Sequence, residues 1–398
     1  RFIIILTALL PFCSCSTPVP TATPTPTRTP LPVQEENTAP LTPTEAVLTP
    51  TATSTPVQPT ATLTQTAMVT PTPLPPDFNP LTGLKVDDEA VLDRIPVAIK
   101  VSNSTEVRPQ SGLSMADIVF EHYAEGRITR LTAVFYGQDP GKVGSVRSGR
   151  LIDLEIPAMY GAIFGYSGSS AGVKNRIRNS DLFPEYIAAP DFGTGAPTFY
   201  RIPQQGKAFE HTLFSDPQAL RALAEERGIN ARPTYERLMS FSDQTPEGGE
   251  SATYFEINYL ADSWLTQWTY DEGSGQWLRS MGGTRHTDAL TGEQISADNV
   301  ILVFAHHIET DILEDTWGGG HMSIEIQVWG TGPAIIFRDG MMYTGFWERW
   351  ERNHMLTFNF GDERAIPLKP GNHWIQLVPL DTKSTDIGEN QLRFIPYP

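Results

Sequence analysis

Apolar and polar positions divide the chain into three stretches. In the first, an apolar run from Phe2 to Leu10 follows the basic Arg1 and gives way to a Thr/Pro tract that reaches Pro76. The second, from Asp77 to about Phe241, mixes short apolar runs with helical spacing. Ile95–Val101, Asp117–Tyr123, Thr129–Phe135 and Ala162–Tyr166 predict strands. Val146–Tyr160 carries Leu151, Leu154 and Met159 at helical spacing, with Pro157 bending or ending the helix. A helix is expected from Ser170 through Ile177, and another over Asp216–Arg227, with Ser215 as cap, Pro217 in the first turn and Gly228 as stop. In the third stretch, from Ser251, the period changes to two. Tyr254–Ile257, Trp264–Tyr270, Trp277–Arg279, Val300–Phe304, Ile324–Val328 and Trp374–Val378 predict strands, and Asp271-Glu272-Gly273 and Asp339-Gly340 supply turn chemistry. The fold class expected is therefore α+β: an N-terminal α/β layered domain over 77–241, then a β-rich sandwich or open barrel over 251–398.

The first stretch speaks to location. Nine residues, all but Thr7 apolar, cannot span about 30 Å of hydrocarbon at 1.5 Å per residue, so Phe2–Leu10 reads as a signal segment rather than a membrane helix. Residues 1–15 form the expected signal peptide, with Cys15, behind Phe12, Cys13 and Ser14, as the lipid-attachment site. Ordinary secretion with cleavage near Ser16 is the alternative. Residues 16–76 are mostly Thr, Pro, Ala, Ser and Val, which build no core; as an extended spacer they reach on the order of 190 Å at ~3.1 Å per residue. The expected address is extracytoplasmic, anchored to the cell membrane through lipid alone. Both cysteines lie before residue 16, leaving the remainder without a disulfide. Net charge is −17, from 29 Lys+Arg against 46 Asp+Glu, which argues against nucleic acid and anionic membrane as general partners.

Candidate chemistry gathers in the second stretch. Gly144-Ser145-Val146-Arg147-Ser148-Gly149-Arg150 reads as a helix start with hydroxyls and two arginines, a natural anion site. Salt bridges from these arginines to Asp117, Glu121, Glu125 and Asp153 are the competing reading. Gly168-Ser169-Ser170-Ala171-Gly172 matches the G-x-S-x-G elbow, and Asp191 and His211 follow in hydrolase order. The separation of Ser170 from His211 is short for that fold, so Ser170 is expected to cap a helix. His306, His307 and His321 raise zinc, but neighbouring strand residues face opposite ways, and no metal or cofactor is expected. The tryptophans are expected mainly in the core, with Trp347 and Trp350 as the exposed pair. Glu121 and Glu125 do not single themselves out as a glycosidase pair.

Several of these segments resemble the YerB family, a group of two-domain bacterial lipoproteins of unknown function. They are Asn79-Pro80-Leu81-Thr82-Gly83, Arg108–Leu113, Ala116–Glu121, Ile128-Thr129-Arg130, Val143–Arg150, Arg285–Gly292 and Asn299-Val300-Ile301. The resemblance implies an envelope location and two domains but no settled activity. Ser169 and Thr212 depart from the family pattern, the latter where the family has Asn. The expected ligand site is a pocket of Arg108, Asp117, Glu121, Arg130, Arg147, Ser148, Arg150, Ser170, Arg201 and His211. Its cations suit phosphate, pyrophosphate or carboxylate, and its carboxylates suit sugar hydroxyls or a divalent cation. The leading function is a tethered protein that binds an anionic or glycan-bearing envelope ligand. The alternatives are a metal-dependent phosphotransferase on envelope polymers and a structural interaction protein.

Overall fold

The structure is a computed structural model that describes residues 75–398 except 260–264, 317–318, 363 and 397–398. The signal segment, Cys15, nearly all of the Thr/Pro tract, Trp264 and Trp317 lie outside the described residues.

The chain is strand-rich, with few helices and mixed sheets. Among the described residues one sheet of 12 strands runs through both family-like halves. Ten of its strands follow the spatial order Thr357–Asn359, Met341–Arg349, Gly330–Arg338, Asn299–Asp315, His373–Pro379, Ile118–Tyr123, Thr129–Phe135, Val97–Ser102, Ile163–Gly165 and Ile187–Ala188, while His321–Gln327 pairs with Asn299–Asp315 and Glu250–Ser251 with Met341–Arg349. The seam is His373–Pro379, which lies parallel to Asn299–Asp315 on one side and to Ile118–Tyr123 on the other. Strands Val97–Ser102, Ile118–Tyr123 and Thr129–Phe135 are buried along their whole length. That explains why their sequences read as apolar runs rather than as clean alternation.

Period-two geometry sends successive side chains of this sheet into two cores. Ala98, Ile118, Phe120 and Val134 enter one, with Met159, Tyr160, Val173 and Ile177 from the helices Ile156–Tyr160 and Ala171–Arg178. Val97, Ile99, Val119 and Phe135 enter the other, with Leu220 and Ala224 of helix Pro217–Glu226. A second sheet, built from Tyr254–Asn258, Leu265–Asp271, Gln276–Met281, Lys383–Gly388 and Gln391–Ile395 with short flanking strands, packs into that same core. Phe255 stacks on Phe337 with ring centroids 3.9 Å apart, and Trp268 meets Trp374 edge-on at 5.5 Å.

Three expectations change. The helix over Val146–Tyr160 is absent: Arg147 lies alongside strand Val97–Ser102, its amide donating to the Lys100 carbonyl at 3.0 Å. Helical geometry starts only at the 3-10 turn Leu151–Leu154 and the five-residue helix Ile156–Tyr160. Asp216, not Ser215, caps Pro217–Glu226, its carboxylate accepting from Gln218 N at 2.9 Å. Trp347 is 2 % exposed, because Tyr343, Gly345, Trp347 and Arg349 form the inward face of their strand, whereas Trp350 is 55 % exposed. Ser170 does cap a helix, its hydroxyl accepting from Val173 N at 3.3 Å. The second glycine of that motif, Gly172, permits close packing: a Cβ there would stand 2.4 Å from Ile312.

Candidate functional site

Strand pairing fixes the first member of the site. Arg130, second in its strand, lies opposite both Ser102 and His122, at the end of the sheet where three strands turn. The Gly144–Arg150 segment is held beside it: Ser102 N donates to the Ser145 carbonyl at 2.9 Å, and Ser167 N to the Arg147 carbonyl at 3.0 Å. Gly149 lets this segment pass the Tyr166 ring, which a Cβ would approach to 3.0 Å. The 3-10 turn Phe209–His211 closes a third side, with Arg147 Nη1 donating to the Glu210 carbonyl at 3.5 Å.

A cavity of about 270 Å³ lies between these segments. Arg130, Arg147 and His211 line it, facing Ser102, Ser104, Thr105 and Glu106; Ile128 and Thr129 complete the wall. Arg130 is only 5 % exposed. Its Nη2 donates to Glu125 Oε1 at 2.9 Å, and Arg150 Nε donates to the other oxygen of the same carboxylate at 2.6 Å. Burial pushes the Glu125 carboxyl up, but Arg150 and Arg130 outweigh it and hold the group down at about 2. Burial, then repulsion from Arg150, brings the Arg130 guanidinium down to about 10. Arg130 Nε, Arg147 Nε and His211 Nδ1 are buried atoms without a hydrogen-bond partner. Unpartnered buried donors of this kind are uncommon and costly in a finished core. Here the two arginine Nε–H groups, and a His211 ring nitrogen, belong to residues that line one void.

The ground beneath the cavity is fully buried. Lys100 Nζ pairs with Asp153 at 2.8 Å and contacts Thr132 Oγ1 at 3.0 Å and His122 Nε2 at 2.6 Å. Burial lowers the Lys100 amine to about 8 against the pull of Asp153, and burial with Lys100 close by pushes the His122 imidazole well below its ordinary range. Asp153 also accepts from the Arg150 amide at 2.7 Å, so this buried pair anchors the arginine segment.

Of the residues expected in one pocket, the structure brings Arg130, Arg147 and His211 to the cavity wall and Arg150 behind it. Ser148 is half-buried beside Gly168. The expected helix start is not there to supply free amides, since Arg150 N is bound to Asp153. Asp117 is elsewhere. It lies five strand positions from the His122–Arg130 pair, roughly 16 Å at ~3.3 Å per residue, and accepts from Asn79 Nδ2 and Tyr136 N, each at 2.6 Å. Arg201 is exposed, stacked 3.4 Å over the Phe209 ring. Ser170 is occupied with its helix. Arg108 donates to the Asn103 carbonyl at 2.7 Å, and burial, then the Arg279 charge, lowers it to about 10. Residue-type reasoning missed Ser104, Thr105 and Glu106. The only signal for them is a short polar run between a strand and a turn, which most surface loops share.

Glu121 belongs to a different cluster, fully buried between the two halves. It accepts from Asn103 Nδ2 at 3.0 Å, Thr129 Oγ1 at 2.9 Å, Arg279 Nη2 at 2.7 Å, Trp374 Nε1 at 3.1 Å and Gln376 Nε2 at 3.0 Å. Arg279 in turn contacts His286, whose Nε2 meets Gln110 Oε1 at 2.6 Å. Burial, then the neighbouring Arg279, holds His286 well below its ordinary range. Two residues on, Asp288 accepts from Gly112 N at 3.0 Å and Ser114 N at 2.9 Å. The Arg108–Leu113 and Arg285–Gly292 segments thus lock the halves together.

His321 Nδ1 pairs with Asp315 at 3.0 Å and His307 Nδ1 contacts the Ala305 carbonyl at 3.0 Å, while His306 is exposed.

A strand-rich protein of two interlocked halves with an arginine-walled cavity is what these features define. Residues 81–230 match the N-terminal domain, and residues 255–375 the C-terminal domain, of a family described as protein of unknown function (DUF3048); the chain belongs to this family. It is 32 % identical over 313 residues to YerB of Bacillus subtilis (strain 168), a protein named as a candidate lipoprotein, covering 78 % of this chain and 89 % of the relative. The crystal structure of the YerB protein from Bacillus subtilis matches with a TM-score of 0.63 at 29 % identity, covering 76 % of this chain and 97 % of that one. Among the described residues no helix is long and apolar enough to cross a membrane.

Proposed function

We propose that this protein is a lipid-anchored, extracytoplasmic binding protein whose cavity at Arg130, Arg147 and His211 holds an anionic group of a cell-envelope ligand, phosphate-bearing or glycan-bearing. The observation that carries this reading is the set of buried, unpartnered Arg130 Nε, Arg147 Nε and His211 Nδ1 atoms around a void. Glu125 pairs with Arg130 and Arg150, and Glu314 lies 3.8 Å from Arg150, while the Arg130 and Arg147 guanidinium groups at the wall are the ones a bound anion would meet with charge-assisted hydrogen bonds. The anchor and address rest on the Cys15 segment and on the name of the Bacillus subtilis relative.

Thermal unfolding of the full chain with and without inorganic pyrophosphate tests it. Stabilisation that rises with pyrophosphate concentration and disappears in Arg147→Ala is the expected result. Equal shifts in the two proteins, or none in either, would remove the cavity as the binding site.

A further inference from the structure

The cavity wall carries charged groups of both signs. Arg130 and Arg147 supply donors, whereas Glu106, on the same wall, is an acceptor-only carboxylate that takes a hydrogen bond from the Ser104 hydroxyl, with Thr105 next in the chain. A bare phosphate or pyrophosphate at neutral pH has few or no protons to give Glu106 and is repelled by it. A polyol satisfies that carboxylate, because each hydroxyl both donates and accepts. Ser102, Ser104 and Thr105 bring three hydroxyl-bearing side chains to the wall, the Thr129 hydroxyl being taken up by Glu121, while Ile128 is the single apolar side chain among the described lining residues. An acyl or prenyl tail therefore has almost nothing to pack on. Size narrows the class further. About 270 Å³ lies just below the ~300–1,000 Å³ usual for small-molecule pockets, which suits one unit rather than a stretch of polymer.

Building on the anion-site reading, we infer that the ligand is a glycosyl phosphate, a single sugar unit bearing phosphate. The phosphate sits on Arg130, Arg147 and His211, and the sugar hydroxyls lie against Ser104, Thr105 and Glu106. The site then discriminates by its guanidinium groups and its Glu106 carboxylate together. Neither phosphate alone nor the neutral sugar alone satisfies both.

Calorimetric titration of the full chain with glucose 1-phosphate, inorganic phosphate, glucose, ethanolamine phosphate and farnesyl phosphate tests this. Glucose 1-phosphate is expected to bind at least about tenfold more tightly than each of the others, a margin equivalent to roughly 1.4 kcal/mol. Glu106→Gln is expected to bring the ratio of glucose 1-phosphate to inorganic phosphate affinity close to one. Inorganic phosphate binding as well as glucose 1-phosphate in the unmodified protein, with both lost in Arg147→Ala, would overturn the sugar assignment while leaving the anion site standing. Tighter binding of ethanolamine phosphate or farnesyl phosphate would also overturn it, in favour of an ammonium or apolar substituent. Failure of every phosphate to bind would end the underlying anion-site reading as well.

Discussion

Two buried clusters, both built on arginine and glutamate and both touching strands 118–123 and 129–135, differ in what their polar atoms do. Around Glu121 the carboxylate accepts from five side chains drawn from both halves, and the Arg279 guanidinium stacks 4.6 Å from the Trp374 ring. Arg279 keeps one unpartnered Nε, but it points into packed aromatic surface. Around Glu125 the same residue types border a void, and the Arg130 and Arg147 Nε–H groups beside it have no hydrogen-bond partner. Charge and residue type do not separate a structural cluster from a binding one. The space beside the guanidinium does.

That contrast breaks most readily at Glu121. Glu121→Ala leaves Arg279, Trp374 Nε1 and Gln376 Nε2 without their acceptor in a fully buried place, at a cost of about 3–5 kcal/mol. Urea unfolding measures it, and a loss under about 1 kcal/mol would contradict a structural lock. Acid comes next. Glu125 titrates at about 2 in the folded chain against 4.5 for the free group. Its contribution is fully present above about pH 4.5 and is lost as pH falls toward 2, roughly 3 kcal/mol in all. In Glu125→Gln that portion of the stability–pH curve should be flat; an unchanged slope would show that the Arg130–Glu125–Arg150 cluster does not hold the proton off. Asp288→Ala removes the acceptor for the Gly112 and Ser114 amides, costing about 2 kcal/mol by thermal unfolding. Smallest in stability is Arg147→Ala, about 1 kcal/mol or less, because its guanidinium makes only a long, 3.5 Å bond to the Glu210 carbonyl among the described residues. A large loss there would make the cavity wall a structural cluster like the other.

How much of this was legible in sequence differs between fold and site. Thr129–Phe135 and Trp374–Val378 stand out because strands buried on both faces leave continuous β-branched and apolar runs. The hairpin Gly330–Arg338/Met341–Arg349 is less visible, although its Asp339-Gly340 turn, with φ of 52° and 70°, carries the expected chemistry. Gly330-Thr331-Gly332-Pro333 at its start reads as loop. The spacing of Leu151, Leu154 and Met159 suggested one long helix because those side chains do face a core, but backbone bonds to Lys100 and Ser102 hold the arginine segment extended. In the site, Arg130, Arg147 and His211 were legible as chemistry. Asp117 and Glu121 looked equivalent to them until strand direction carried one to the far end of the sheet and the seam enclosed the other. Glu106 had no periodicity to mark it, since only the folded chain turns it toward the arginines.

The most direct measurement is a diffraction map of the full chain grown with glucose 1-phosphate. A ligand site at this cavity predicts phosphate density at hydrogen-bond distance, about 2.7–3.2 Å, from the Arg130 and Arg147 guanidinium groups, with the sugar toward Glu106. Phosphate bound at another surface, with only water between the two arginines, would contradict it.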